Sequence, residues 1–346
     1  MPLFVHCREG VDAVLDSWKV SLKWIGGALV LTIAVSAFLQ FQGLERRPPE
    51  RAPGPGPGPG PSPAPIIDPE LADKYREEPT ISMFDHATGK VLWMPLETYV
   101  EGIVAAEIGN RSPLAATEAQ AIASRTVVMT ILEEGTGEAR RLHGTDACTS
   151  PQHPPPYRPD FINDRVREAV RNSRGQVITH DAQFIVAFYY SCSGGRTASY
   201  EESFPGNIQP PYIKVVNSPC VEGEEWEAEV PKGRLRQVAG WTMAGPIDRV
   251  KVLETGPSGR ATKVQVGDTT VHGVDLRNGL GRGLVKSTLF TSIRIVGDTV
   301  VFRGRGYGHG VGFDQKGSRK LAENGMDAKA LINYYYKDVN IAQLWK

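Results

Sequence analysis

One carboxyl group in this sequence falls where its acid-base chemistry would be altered. If a helix begins at Leu96, a turn of about 100° per residue brings Glu107 onto the apolar side, with Leu96, Val100 and Ile103. A carboxyl among apolar neighbours loses hydration of its charged form, which raises its pKa and keeps it protonated near neutral pH. Such a group suits general acid catalysis. The alternative is a helix-end glutamate that faces solvent or pairs with an arginine, and solvated positions are expected for Glu97 and Glu101.

An arginine on the next helix also faces inward by this periodicity. A helix from about Leu114 to Glu134 brings Arg125 onto the same side as its apolar residues. A buried guanidinium needs a carboxylate or a ligand, and both Glu107 and Glu118 qualify as partners. Pairing with Glu107 would lower the pKa of that carboxyl and weaken it as an acid near neutral pH.

Glycine occupies every second position of the segment GRGYGHGVG, from Gly304 to Gly312, around His309. Alternating glycines let another backbone or a ligand approach closely, so we expect His309 to be exposed to a bound molecule. The alternative is a histidine that makes a structural hydrogen bond and nothing more.

The elements that must position these residues read as a mixture of helices and hairpins. PTISMFD and GKVLWM predict two strands around an HATG turn, and LETYVEGIVAAEI predicts a helix that ends at Gly109. A long irregular loop follows the second helix. Further predicted elements, in chain order, are a helix at 164–172, strands QVITH and FIVAFYYS, short strands between 248 and 301, and helices through KGSRKLAENG and DAKALINYYY. The mixture, with mostly antiparallel strands, predicts the α+β class.

The composition predicts a globular protein and argues against one class of partner. The chain has 346 residues, with 39 Lys plus Arg against 39 Asp plus Glu. A balanced charge gives no overall positive field to recruit nucleic acid, so we exclude that partner. Residues 66–346 are expected to form the folded domain.

The N-terminal part predicts a membrane anchor and a spacer. Residues 24–44 include no charged side chain and are long enough, as a helix, to cross a bilayer. A cleaved signal peptide is the alternative, but the preceding segment, residues 1–23, is long and includes acidic residues. Positive charges on the two flanks do not decide the orientation. Residues 45–65 are rich in Pro and Gly and predict an extended linker.

Five separated motifs, in order, resemble the SpoIID/LytB family over roughly residues 81–345. They are MPLETYVEGIVAAEI, EAQAIASRT, YYSCSGGRTASYEE with PPYIKVV, SGRATKVQV with LRNGLG, and GRGYGHGVGFDQKG with NYYY. Asp314 and Ser318 depart from the serine and alanine usual in the family. The resemblance implies peptidoglycan glycan strands as the substrate, either for a lytic transglycosylase or for an enhancer of a cell-wall amidase. It also implies a membrane-tethered domain outside the cytoplasm, with residues 1–23 inside.

In this family the catalytic acid is the glutamate of the AAE element, which is Glu107 here. A lytic transglycosylase needs one carboxyl, which first protonates the glycosidic oxygen and then accepts the proton of the muramyl 6-hydroxyl, so no second carboxylate is expected. The same resemblance implies a set of residues lining the glycan cleft, namely Arg125, Tyr190, Ser191, Ser193, His309 and Gln315.

The cysteines and histidines of the domain suggest two further features. Cys192 and Cys220 are candidates for a disulfide if the domain lies outside the cytoplasm. Some family members carry zinc in the loop after the second helix, and His143, Cys148 and His153 match that pattern. Pro154 stands where the second cysteine would be, so a fourth donor is missing and no cofactor is required by the expected reaction. Three functions compete: lytic transglycosylase, non-catalytic amidase enhancer, and zinc-dependent wall hydrolase.

Overall fold

The computed structural model describes residues 66–109, 112–150, 153, 155–220, 224–240 and 245–346. The expected cytoplasmic segment 1–23, membrane helix 24–44, linker 45–65 and Pro154 lie outside these residues. Within the described ranges, no helix combines the length and apolar character needed to cross a bilayer.

The N-terminal hairpin and the two long helices form where the sequence predicts them. In chain order the first elements are α1 Pro69–Lys74, β1 Thr80–Asp85, β2 Lys90–Pro95, α2 Leu96–Glu107, α3 Leu114–Glu134, α4 Glu138–His143 and β3 Ala147–Cys148. Pro95 precedes the first turn of α2, and Gly135 ends α3 in the left-handed region at φ 64°. β1 pairs antiparallel with β2 and parallel with β3. The short helix α4 falls in a segment predicted to be irregular.

The central segment has less regular structure than its apolar run suggests. After a 3₁₀ turn at Pro159–Phe161 come α5 Asp164–Asn172, β4 Gln176–His180, β5 Gln183–Phe184, β6 Tyr189–Tyr190 and α6 Tyr200–Ser203. The run FIVAFYYS was predicted as one strand. In the structure it contributes to two short strands, β5 and β6, each paired over two residues.

A second unit follows, with two three-stranded antiparallel sheets and a hydrophobic core of its own. Its elements are β7 Glu225–Pro231, α7 Lys232–Ala239, β8 Val250–Thr255, β9 Ala261–Val266, β10 Thr269–His272, α8 Gly273–Leu280, β11 Phe290–Val296 and β12 Thr299–Arg305. The strands from β8 onward were predicted, whereas β7 was not, and α8 interrupts a region predicted as strands. The domain expected over 66–346 thus holds two separate cores.

The chain then returns to the first core. The last elements are β13 Phe313–Asp314, α9 Gln315–Glu323, α10 Ala328–Tyr335 and β14 Asn340–Gln343. β13 pairs with β6 and β14 pairs with β4, so residues after the second unit complete sheets begun before it. The first core gathers α2, α3, α5, α10 and the strands between them, which makes the second unit an insertion. The fold is therefore α+β with mostly antiparallel strands.

The insertion enters and leaves at adjacent points. β7 and β12 are antiparallel neighbours, with Glu225 opposite Arg305. The backbone N–H of Gly306 donates to the carbonyl of Glu224 at 2.9 Å. The two junctions are therefore closed by backbone hydrogen bonds beside the glycine-rich segment.

Candidate functional site

Glu107 lies at the last turn of α2, partly buried, and accepts a hydrogen bond from a side-chain amide. The donor is Nε2 of Gln315, at 2.9 Å from Glu107 Oε2. Burial raises the pKa of Glu107, and the bond from Gln315 partly offsets this increase because it favours the charged form. The structure therefore combines the predicted acid with Gln315, a residue that the family resemblance assigned to the cleft.

A chain of buried hydrogen bonds fixes the amide of Gln315. Its Nε2 also donates to Gln120 Oε1 at 3.3 Å, and Gln120 Nε2 donates to Ser124 Oγ at 3.0 Å. Gln120 and Ser124 are fully buried and lie four residues apart on one face of α3. Because Gln120 presents its oxygen, the NH₂ group of Gln315 is directed at both acceptors. Sequence reasoning missed Gln120 and Ser124, although both lie in the EAQAIASRT motif with helical spacing.

Asp314 positions Gln315 from the interior. As N-cap of α9 it accepts a hydrogen bond from the N–H of Gly317 at 2.9 Å. It also accepts from the N–H of Ser193 at 2.9 Å and from Ser218 Oγ at 2.8 Å. Burial raises the pKa of Asp314, against the effect of these hydrogen bonds. The departure from the family's serine therefore places a capping hub behind the site rather than a charge in the cleft.

The resemblance implied that Tyr190 lines the cleft, but the structure places the adjacent Tyr189 nearer to Glu107. Tyr190 is buried against Asp314 and Arg260, whereas Tyr189 is partly exposed. Burial raises the pKa of Tyr189 well above its usual value, and the nearby carboxylate of Glu107 raises it further. Adjacent residues of a strand point to opposite faces, so a shift of one position changes which tyrosine meets the acid. Tyr189 is thus the residue near Glu107, and the assignment of Tyr190 to the cleft is corrected.

The two nearby serines differ in burial, although they lie two positions apart, beyond the end of β6 at Tyr190. Ser191 is partly exposed, and its carbonyl accepts a hydrogen bond from the N–H of Lys316 at 3.0 Å. Ser193 is fully buried, and its Oγ accepts from the N–H of Gly195 at 3.1 Å. Ser193 therefore belongs to the interior and not to the cleft lining.

His309 is partly buried, and both of its ring nitrogens already have hydrogen-bond partners, as in the alternative of a structural role. Its Nε2 donates to the carbonyl of Tyr189 at 3.0 Å, and its Nδ1 accepts from the N–H of Val311 at 3.1 Å. The ring lies among Phe188, Tyr190 and Phe204, and burial lowers its pKa to about 3. Both nitrogens are used and the ring is neutral, so His309 positions the strand of Tyr189.

Arg125 is a structural residue whose partner is neither Glu107 nor Glu118. It is fully buried and forms a salt bridge with Glu97 at 2.6 Å, through Nη2 and Oε2. Its Nη1 donates to the carbonyl of Gln176 at 3.0 Å. The expectations that Arg125 lines the cleft and that Glu97 is solvated are both wrong, because β4 and the C-terminal segment bury this end of α2.

A disulfide joins Cys192 and Cys220 beside the glycine-rich segment. The backbone of Cys192 exchanges two hydrogen bonds with that of Tyr307, at 3.0 and 2.8 Å. The disulfide therefore links the strand region near Ser191 to the segment that leads into the second unit. The backbone hydrogen bonds to Tyr307 link the same region to the segment that leaves that unit.

A second group of polar side chains lies between the β1–β2 turn and the loop after α4. It consists of His86, His143, Cys148 and His153, whose ligand atoms all lie within 4.8 Å of one another. Buried Nε2 of His143 has no hydrogen-bond partner in the described part of the chain. Three imidazoles and a thiol are donors that suit Zn²⁺, so these residues fit the zinc that the family resemblance implies.

Comparison with known proteins agrees with this architecture. The family described as Stage II sporulation protein, SpoIID, matches residues 85–180, which include Glu107 and the His/Cys group. "Stage II sporulation protein D" of Bacillus amyloliquefaciens is 25% identical over 91% of this chain and 93% of its own length. The protein of the same name from Bacillus subtilis (strain 168) is 27% identical over 76% of this chain and 79% of its own length.

These matches support the SpoIID/LytB family for this chain. "Amidase enhancer" of Bacillus subtilis (strain 168) is also similar, at 23% identity over 68% of this chain and 39% of its own length. A separate domain of unknown function, DUF8618, matches residues 225–312. That range covers the inserted unit, so the chain carries a recognisable second module between the two parts of its first core.

Proposed function

We propose that this protein is a membrane-anchored lytic transglycosylase that cleaves peptidoglycan glycan strands with Glu107 as general acid and base. The observation that supports this proposal most directly is the environment of Glu107, whose pKa is raised by burial. Among the described residues, no cation forms an ion pair with it, and a single amide offers it a hydrogen bond. A carboxyl in this state is protonated at a pH where an ordinary glutamate is ionised.

The reaction needs one proton carrier that works in both directions. Glu107 protonates the glycosidic oxygen as the bond between that oxygen and the muramyl C1 breaks. The resulting carboxylate then accepts the proton of the muramyl 6-hydroxyl, whose oxygen forms the new bond to C1. No water is consumed, the product has a 1,6-anhydro end, and Glu107 returns to its protonated form.

The surrounding groups orient the carboxyl group of Glu107 while its pKa stays raised. The single N–H···O bond from Gln315 fixes the carboxyl orientation, and Gln120 fixes the amide that donates it. In this proposal the partly exposed Tyr189 and Ser191 contact the glycan next to the acid. Their strand is held from behind by His309 and Asp314, which are positioning residues.

The cell-wall setting rests on the family and on the names of its relatives. Relatives named "Stage II sporulation protein D" and "Amidase enhancer" support a role at the cell wall. Peptidoglycan lies outside the cytoplasmic membrane, so the domain after the expected helix at 24–44 would face outward. Protease added to intact protoplasts should then digest residues 66–346, whereas full protection would contradict this orientation.

The direct test is mass spectrometry of the products released from peptidoglycan. Full-length protein in mild detergent is incubated with intact and with amidase-stripped peptidoglycan, next to Glu107→Gln. Anhydro-muramyl ends with the wild type and none with the variant would support the transglycosylase and show which glycan it prefers. If folded wild-type protein releases no such ends from either substrate, the proposed activity is wrong.

The similarity to "Amidase enhancer" favours a second candidate, a non-catalytic activator of a cell-wall amidase. An activator would raise the rate at which a purified amidase releases stem peptides, and Glu107→Gln would leave that stimulation unchanged. Stimulation that disappears with Glu107→Gln would instead indicate that glycan cleavage precedes the amidase.

A further inference from the structure

The His/Cys group is assembled from two parts of the chain that are distant in sequence. His143 ends α4, Cys148 ends β3 and His153 follows it, whereas His86 belongs to the turn between β1 and β2. The parallel pairing of β3 with β1, which sets Cys148 opposite Phe84, brings the turn to the loop. The fourth donor that the loop lacks is therefore provided by a hairpin.

The donor atoms are spaced close to the separations that one tetrahedral zinc ion requires. Zn–N bonds of ~2.0–2.1 Å and Zn–S bonds of ~2.3 Å in a tetrahedron imply donor separations of roughly 3.3–3.8 Å. Cys148 Sγ and His153 Nδ1 are 3.2 Å apart, and no pair of the four donors exceeds 4.8 Å. Small side-chain rotations are enough to close the site around one ion.

The local structure holds the histidines in place. Phe84 stacks on the His143 ring, with centroids 4.3 Å apart and planes at 8°. The N–H of His86 donates to Thr149 Oγ1 at 3.0 Å, and the turn is closed by Asp85, which accepts from the N–H of Ala87 at 3.0 Å. The His86 ring meets the His143 ring at 4.9 Å. These contacts direct both imidazoles at the same small volume.

We propose that His86 is the fourth ligand of a structural zinc site, with His143, Cys148 and His153, and that it replaces the second cysteine of the family pattern. Zn²⁺ would displace the Cys148 proton to solvent and bind the thiolate and three neutral imidazoles. Four protein ligands leave no open position, so the ion would fasten the β1–β2 hairpin to the loop after α4. This inference does not depend on the proposed transglycosylase.

The test is metal binding by the full-length protein in mild detergent. After removal of metal with a chelator, wild-type protein should take up one Zn²⁺ per chain, measured by elemental mass spectrometry. Co²⁺ in its place should give the intense d–d bands of a tetrahedral site and a thiolate charge-transfer band. Zn²⁺ should also raise the thermal midpoint of the wild type.

His86→Ala is the decisive variant, and His272→Ala is its control, because His272 is an exposed histidine on the inserted unit. His86→Ala should weaken Zn²⁺ binding by more than the ~10–100-fold typical of residues behind the ligands, and should change the Co²⁺ spectrum. His272→Ala should behave as the wild type.

Two results would overturn the inference. One is wild-type protein that binds no stoichiometric Zn²⁺, which would leave an aromatic cluster without metal. The other is His86→Ala that binds Zn²⁺ as tightly as the wild type with an unchanged Co²⁺ spectrum. Circular dichroism of each metal-free variant separates lost binding from lost folding, since His86 is exposed in its turn and its replacement should leave the spectrum unchanged.

Discussion

The two ends of helix α2 each hold a glutamate, and the two carboxyl groups have opposite surroundings. Glu97, in the first turn, is paired with Arg125 at 2.6 Å and accepts further hydrogen bonds from Gly175 N at 3.0 Å and Trp345 Nε1 at 2.9 Å. Glu107, in the last turn, has one amide donor and a raised pKa. One helix therefore positions a carboxylate for structure at one end and a proton carrier at the other.

The difference shows what makes a buried carboxyl chemically active. Glu97 has a charged partner and several N–H donors, whereas Glu107 is desolvated without comparable compensation. The contrast also separates two kinds of damage, because loss of Glu107 should remove chemistry and loss of the Glu97 pair should remove stability.

Glu107→Gln should remove the catalytic half of this comparison. The side chain keeps its shape but can no longer carry a proton, so the rate of anhydro-muramyl formation should fall by about 10²–10⁴-fold or more. The free energy of unfolding should change little, as judged by urea denaturation. Glu101→Gln, the same replacement on the same helix, is the control and should retain activity. Equal activity in both variants would contradict the role of Glu107.

Arg125→Met should break the structural half. It leaves Glu97 buried without its cation, and we expect a loss of about 3–5 kcal/mol in the free energy of unfolding, measured with urea. The double variant Glu97→Gln/Arg125→Met removes both charges and should regain part of that loss. If the single variant is as stable as the wild type, the Glu97–Arg125 pair does not stabilise the fold.

The neutral state of His309 predicts how stability depends on pH. Its pKa is about 3 in the folded protein, against 6.5 as the ordinary value. Between these two pH values the unfolded chain binds a proton at His309 that the folded chain does not bind. The contribution of neutral His309 to the free energy of unfolding is therefore complete above pH 6.5. It declines toward pH 3, at up to about 1.4 kcal/mol per pH unit. In urea titrations at successive pH values, His309→Gln should show a flatter decline. An equally steep decline in the variant would assign the effect elsewhere.

Gln315→Leu should have the smallest effect of these variants, and it tests how the one amide donor affects the pKa of Glu107. The amide N–H favours the carboxylate of Glu107, so its removal raises the pKa of that acid further. The activity depends on protonated Glu107, and its decline at high pH should therefore move to higher pH, with a loss of roughly 10-fold in kcat from poorer orientation. Gln120→Leu, which acts through Gln315, should shift the profile less. Movement toward lower pH would contradict this account.

The sequence predicts those parts of the fold and site that depend on local pattern. The hairpin, both long helices and the apolar side of α2 that holds Glu107 follow from periodicity and end signals. Glu97 was misassigned because the groups that bury it, Gly175 and Trp345, come from remote segments that helical periodicity does not include. The choice between Tyr189 and Tyr190 depends on the register of β6. That strand pairs over only two residues, which is too short to give a sequence pattern from which the register could be predicted. His86 was missed because its partners lie across a parallel pairing that no local motif predicts.

The adjacent junctions of the inserted unit have a consequence for synthesis. Glu107 and the amide that orients it are separated by 208 positions, and the whole inserted unit lies between them. A ribosome adds residues in order, so the acid emerges long before its partner, and the module must be made before the two can meet. Because the unit enters and leaves the first core at adjacent points, an exchanged or shortened module would change the time between synthesis of Glu107 and synthesis of Gln315. It would leave the two junctions in place.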